Sequence, residues 1–581
     1  MFQTLLSQLK QYKKATIATP LLAVLEVLME IMIPVAMASI IDEGIEKGDM
    51  RHVILCCILM FFMAGLSLLF GILAGRTSAR ASTGFAANLR EGMFSHIQTF
   101  SFANIDKFST AGLVTRMTTD VTNIQNAFQM IIKMGTRAPV QLICALVMAM
   151  VINFKLSMIF VAAILILGSI LALIISKAMP AFTAVFDRYD ELNASVQENV
   201  SGIRVVKAFV REEHENSKFT RAAGRIYEMF IKAESIVALN NPVMMFVVYS
   251  CILGLSWLGA QMIVGGSLTT GELTSLLAYV MNILMSLMML SMIFVMLSLS
   301  MASARRIAEV LNEEATLVSP ENADFEIPDG SVDFDHVFFA YGNGKPVLSD
   351  IDVHIKAGET IGILGGTGSA KSSLVNLISR LYDVQEGCVK VGGKDVRAYD
   401  LETLRNEVAV VLQKNVLFSG TILENLRWGD ENATDEDCIR ACKMACAHEF
   451  ITQFPDGYET YIEQGGTNVS GGQKQRLCIA RALLKKPKIL VLDDSTSAVD
   501  TATDARIRRA FREEIPGTTK FIIAQRISSI QDADRILVLE DGKIDGFDTH
   551  ENLLAHNEIY QDVYNSQTQG GGDFDQKGGE A

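Results

Sequence analysis

Eight consecutive residues, Gly365-Gly366-Thr367-Gly368-Ser369-Ala370-Lys371-Ser372, make a glycine-rich run closed by an amine and a hydroxyl. Residue types in that order suit a phosphate chain. Backbone amides face the oxygens, Lys371 neutralises β/γ charge, and Ser372 is placed to ligate Mg²⁺, with Ser373 behind it. Ala370 departs from this pattern, because the motif's second glycine is replaced by a methyl-bearing residue that costs any positive φ the loop needs. A second feature lies downstream, where the apolar run Ile489-Leu490-Val491-Leu492 ends in Asp493-Asp494. The loop implies a bound nucleoside triphosphate.

These residues need a strand and a helix to hold them. The β-rich run Thr360–Leu364 precedes the loop and the helical run Leu374–Leu381 follows it, which puts the phosphates at a helix N-terminus. Further short strand signals (332–334, 408–412, 489–492, 520–523, 535–539) alternate with helical stretches. The expected fold for residues 328–569 is therefore an α/β ATPase domain with a largely parallel sheet. Residues 309–327 read as a polar linker, and the Gly- and Asp-rich tail 570–581 as disordered.

Residues 1–308 are different. Half of the chain's 581 residues are hydrophobic, and the surplus sits almost entirely before residue 300. Six apolar stretches, 16–41, 53–75, 136–153, 156–179, 240–264 and 273–300, are each long enough to cross roughly 30 Å of hydrocarbon as helices. The expected architecture is a six-span α-helical membrane domain followed by the ATPase domain. The long loops 76–137 and 176–236 carry seven and nine Lys/Arg, against three in the short loops. That asymmetry places the long loops, both termini and the ATPase domain in the cytoplasm of a multi-pass cell-membrane protein. The long loops keep helical periodicity and read as helices leaving the membrane. Their turns, expected near 105–113 and 212–220, are candidates for contact with the soluble domain.

Net charge is −14, which argues against general nucleic-acid binding. Nine cysteines without a CxxC pair ask for neither disulfides nor a metal. Cys438, Cys442 and Cys446 share one helix face and read as buried. Two membrane features could touch a substrate. Glu26 and Glu30 lie on one face of the first span, and intramembrane carboxylates face a cavity or a partner. They either attract a cationic substrate or form a structural pair. Met281, Met285, Met288, Met292 and Met296 recur at spacings of three and four on the sixth span, which suits core packing or an adaptable apolar surface.

At this point the chain resembles ABC exporters over nearly its whole length. Asn468-Val469-Ser470-Gly471-Gly472-Gln473 resembles the family's signature, with valine for the usual leucine. Gln413 looks like its Q-loop and a further Mg²⁺ contact, Tyr341 like the aromatic that stacks on adenine, and Ser497-Ala498-Val499-Asp500 like its D-loop. Arg116–Val121 and Gly202–Phe209 look like intracellular-loop segments of the membrane half. The resemblance implies a half-transporter that binds ATP and Mg²⁺ and works as a dimer. In such a dimer the Ser470–Gly472 amides donate to a γ-phosphate on the partner chain.

By the same resemblance, Asp493 associates with Mg²⁺, and the next position is a glutamate that polarises the attacking water. Here it is Asp494, one methylene shorter, and a misplacement of about 1 Å can cost on the order of a hundredfold. The family's switch histidine is Gln525, which can hydrogen-bond a phosphate but carries no charge. With Ala370, three departures share the nucleotide-facing side while the signature is intact. That resembles the degenerate-site subunit of heterodimeric exporters. The expected function is export of amphipathic, cationic drug-like or lipid compounds, with an unlike half-transporter as partner, membrane lipid around both and no nucleic acid. The alternatives are a homodimeric lipid or peptide exporter and a regulatory or channel-like ABC protein.

Overall fold

The computed structural model describes residues 1–342, 344–495 and 497–569; the tail 570–581 lies outside the described residues. The chain divides into two compact units. One comprises Met1–Gln98 and Thr110–Glu313, and the other Thr99–Ser109 and Glu314–Ala581.

Among the described residues, the first unit has six helices long and apolar enough to cross a membrane: Lys10–Ile45, Met50–Ile97, Thr110–Ile152, Phe154–Phe182, Glu212–Val264 and Thr270–Leu311. Their ends follow from local chemistry. Asp49 accepts from the amides of Arg51 and His52 to start the second. Asn153 leaves helical geometry (φ −152°) and accepts from the Leu156 amide, so one residue ends the third span and begins the fourth. Thr269 and Glu272 form a reciprocal capping box before the sixth. The unit's core gathers Val27, Ile31, Ala145, Phe160, Leu255 and Ile283. Fully buried Tyr279 donates its hydroxyl to the Ile31 carbonyl at 2.7 Å. Large apolar side chains such as Phe61, Trp257 and Leu253 stay exposed, as a surface solvated by hydrocarbon allows.

The turns of the two long loops differ from each other. The first contains a short helix, Phe102–Phe108, opened by a Ser101/Asn104 capping box, and its segment belongs to the second unit. There the Tyr382 hydroxyl donates to Asp106 at 2.7 Å, and Phe102 meets the Tyr382 ring edge-on. The second turn is not at 212–220. Gly202 ends the preceding helix, and Val210 takes a positive φ of 52°. Residues 212–220 already lie within the helix Glu212–Ala238.

Among the described residues, the second unit holds twelve strands, β1 (Val332–Phe339), β2 (Leu348–Ile355), β3 (Thr360–Gly365), β4 (Glu386–Val391), β5 (Lys394–Asp395), β6 (Val408–Val411), β7 (Gly420–Thr421), β8 (Tyr461–Ile462), β9 (Ile489–Asp493), β10 (Thr519–Ile523), β11 (Arg535–Glu540) and β12 (Lys543–Asp548). Six of them form one sheet in the order β12-β11-β3-β10-β9-β6, with only β12 antiparallel. β9 and β10 are buried at every position, as central parallel strands covered on both faces should be. A second, antiparallel sheet runs β2-β1-β4-β5.

Candidate functional site

Parallel order decides where the site lies. β10 pairs with β3 on one side and with β9 on the other, with Ile523 opposite both Ile363 and Asp493. The glycine-rich loop after β3, Asp493-Asp494 at the end of β9 and Gln525 after β10 therefore meet at the carboxyl ends of three neighbouring strands. That edge is where open α/β sheets bind ligands.

The loop enters the helix Lys371–Ile378 through Ala370, which is left-handed (φ 70°, ψ 24°). Gly365 has to be glycine, because a Cβ there would stand 2.4 Å from the Leu539 carbonyl. Gly366 and Gly368 face open space, and Thr367 is exposed between them. The Lys371 ammonium donates to the Gly365 and Gly366 carbonyls at 2.9 and 2.7 Å and to the buried Ser369 hydroxyl at 3.2 Å. Burial lowers its pKa, against the pull of Asp493 and Asp494. Asp493 is buried, hydrogen-bonded to Ser372, and raised above the usual carboxylate range by desolvation. A serine hydroxyl beside a carboxylate, with an amine and open backbone above, is a hard-oxygen set of the kind Mg²⁺ takes, so these residues fit Mg²⁺ and a polyphosphate.

The two departures touch each other. The Gln525 side-chain amide donates to Asp494 Oδ2 at 3.0 Å. Gln413 is hydrogen-bonded to Asp494 as well, while burial raises its pKa. Asp494 sits at a φ of 48°, a conformation aspartate tolerates, and its amide donates to the Ile523 carbonyl. Tyr341 stands half-exposed beside the loop. Its hydroxyl lies 2.9 Å from Ser373, and Phe339 and Tyr382 hold its ring edge-on.

Ser470 and Gln473 are engaged with each other at the start of the helix Gly471–Leu484. Ser470 accepts from the Gln473 amide, and the Gln473 side chain accepts from the Ser470 amide. Gly472 is required by the loop beyond β9, since a Cβ would come within 2.7 Å of the Ala498 carbonyl. Gln475, which motif reading passed over, accepts from the Ala498 amide at 3.0 Å and donates to Ser497 at 3.3 Å. It ties the signature helix to that loop. The Asp500 carboxylate accepts from the Thr503 amide and caps the helix that follows.

Glu26 and Glu30 are both engaged by one cation, while Glu26 Oε2 stays buried without a hydrogen-bond partner. Arg137 donates one guanidinium nitrogen to Glu26 at 2.5 Å and another to both Glu30 oxygens at 2.9 and 2.8 Å. Gly71 makes room, as a Cβ there would stand 2.9 Å from a Glu26 oxygen. Glu26 is buried and Glu30 partly so, and Arg137, counted above among loop cations, supplies one countercharge to the two from inside the third span. The methionines fare differently. A cavity of about 580 Å³ is lined by Met285, Met288, Met292 and Met296 together with Met130, Met134 and Asn240. Met281 is exposed and outside that lining.

Comparison with known proteins follows the same division. Residues 16–288 match the ABC transporter transmembrane region family, and residues 348–497 match the ABC transporter family. The chain is 38% identical over 569 residues to YfiB of Bacillus subtilis, an ABC transporter ATP-binding protein, covering 97% of this chain and 98% of that one. It is 33% identical over 493 residues to an ATP-dependent lipid A-core flippase of Desulfotalea psychrophila, covering 84% and 85% of the two chains. The structure of a bacterial Atm1-family ABC exporter with ATP bound superposes with a TM-score of 0.84 at 24% identity, over 96% of this chain and 99% of that one.

Proposed function

Because the chain belongs to the ABC transporters, as a six-span membrane region fused to one ATPase domain, we propose that it is the slow half of a two-chain exporter. Its own site binds MgATP and hydrolyses it poorly, and its signature completes the competent site of an unlike half-transporter. The observation that carries this reading is the 3.0 Å bond between Gln525 and Asp494. The shortened carboxylate spends a lone pair on a neutral amide, and that amide is the group standing where the family has an ionisable imidazole. Poor orientation of an attacking water follows from both substitutions together.

The roles of the remaining residues follow from their places. Lys371 and the Gly366–Ser369 amides hold the phosphates, Ser372, Asp493 and Gln413 the Mg²⁺, and Tyr341 the base. Bound MgATP supplies the free energy that drives the membrane half. The segment Thr99–Ser109, drawn from between two long membrane helices into the ATPase unit and held there through Asp106 and Tyr382, carries that signal. The ATPase domain and both termini lie in the cytoplasm.

The cargo is an amphipathic, lipid-like molecule. Support comes from the adaptable methionine-lined cavity and from the lipid substrate named for one relative. Arg137 offsets only one of the two carboxylate charges of Glu26 and Glu30, so the site stays net negative and leaves room for a positive charge on the cargo. Affinity capture of the tagged chain from its native membrane tests the pairing. An unlike ABC half-transporter recovered in equal amount is the expected result, and recovery of this chain alone would contradict it.

A further inference from the structure

The switch residue Gln525 is held from behind. The last described helix, Glu558–Gln569, reaches the loop after β10 with the side chain of Gln567. Gln567 Nε2 donates to the Gln525 carbonyl at 2.8 Å, and Gln567 Oε1 accepts from the Ile527 amide at 2.9 Å. One primary amide thus satisfies an acceptor and a donor that flank Arg526, the pairing a neighbouring strand would offer. Only a side chain with both functions at that reach can do this, which singles out glutamine.

The helix itself is firmly placed. Tyr560 is fully buried, with its hydroxyl 2.6 Å from His550, and its amide donates to Asn557, which in turn donates to Asp545. Val563 and Tyr564 pack on the same core. Positions 560, 563, 564 and 567 fall on one helical face, so the buried tyrosine fixes where Gln567 points. On its other side the Gln525 amide reaches Asp494 at 3.0 Å. The connected path runs from the helix Glu558–Gln569 through a backbone clamp to the Asp494 carboxylate.

We propose that Gln567 is a positioning residue for the nucleotide site: by clamping the backbone of residues 525–527 it aims the Gln525 amide at the γ-phosphate position. This rests on the reading of Gln525 as a γ-phosphate contact, which ATP has and ADP lacks. Losing one or both hydrogen bonds should therefore lower the site's preference for ATP over ADP by about three- to tenfold, the range expected for such bonds. Folding is little affected, because the clamp lies at the surface.

The test uses the full-length transporter as purified with its partner. 8-Azido-[α-³²P]ATP labels this chain's own band, and competition by ATP and by ADP gives the preference. Gln567→Ala is expected to reduce it with an unchanged unfolding temperature. Gln567→Glu, which keeps the acceptor and loses the donor, should show part of the effect and serves if the alanine variant folds poorly. In a Gln525→Ala background, Gln567→Ala should add nothing, because the two act through one contact. Additive effects, or an effect of Gln567→Ala with none from Gln525→Ala, would overturn the clamp. If Gln525→Ala lowers the preference and Gln567→Ala does not, the clamp fails while the Gln525 reading stands. If neither variant changes it, both fail.

Discussion

Ala370 shows how one methyl group tests the phosphate loop. It stands at φ 70° at the entrance to the helix that follows the loop. An L-residue there costs about 1–2 kcal/mol, while a glycine would forfeit about 0.5–1 kcal/mol of chain entropy. Ala370→Gly should therefore be close to neutral or slightly stabilising, within about 1 kcal/mol, with ATP binding kept. Ala370→Val adds a β-branched side chain in the same conformation and should cost roughly 1–3 kcal/mol together with most ATP labelling. Thermal melts with and without MgATP check both, and a valine variant as stable as the parent would remove the strain. The phosphate loop, Asp493, Asp494 and Gln525 were legible at this scale because each belongs to a short run whose spacing is set by one strand and one turn. Gln475 and Gln567 were not. Their significance comes from partners 23 and 40–42 residues away, and glutamines on helices carry no local signal.

Elements set the next constraint. The helices Lys13–Ser39 and Val121–Ile152 are joined across the membrane half by Arg137, Glu26 and Glu30. Removing one member of such a network strands the others, typically at 3–5 kcal/mol, whereas replacing all of it by neutral groups of similar size is often tolerated. Arg137→Leu should lower thermal stability and membrane yield sharply. The combination Arg137→Leu, Glu26→Gln, Glu30→Gln should recover most of the loss. A detergent-solubilised melt compares them, and a single variant as stable as the triple one would show that the network bears no strain. The six spans were readable from hydropathy alone, since backbone amides in hydrocarbon leave helices as the way to cross. The pairing of Arg137 was hidden because more than 100 residues separate the partners. The second turn was misplaced because its Glu-rich start, Glu212 to Glu215, reads as a polar loop but forms the first turn of a helix, where acidic residues are favoured.

The whole molecule is half of a machine. One six-span region and one ATPase domain in a chain make an ABC half-transporter, and such halves act as dimers. This chain keeps a complete signature, Ser470–Gln473, beside a phosphate side altered at Ala370, Asp494 and Gln525. On the proposed reading, an unlike chain supplies the competent site that this signature completes. Steady-state ATPase of the purified two-chain transporter, measured with Asp494→Ala in this chain and separately with the water-polarising carboxylate of the other chain neutralised, tests that directly. The expected result is a loss of less than about threefold from the first change and near-abolition, on the order of a hundredfold or more, from the second. Comparable losses from the two would contradict it.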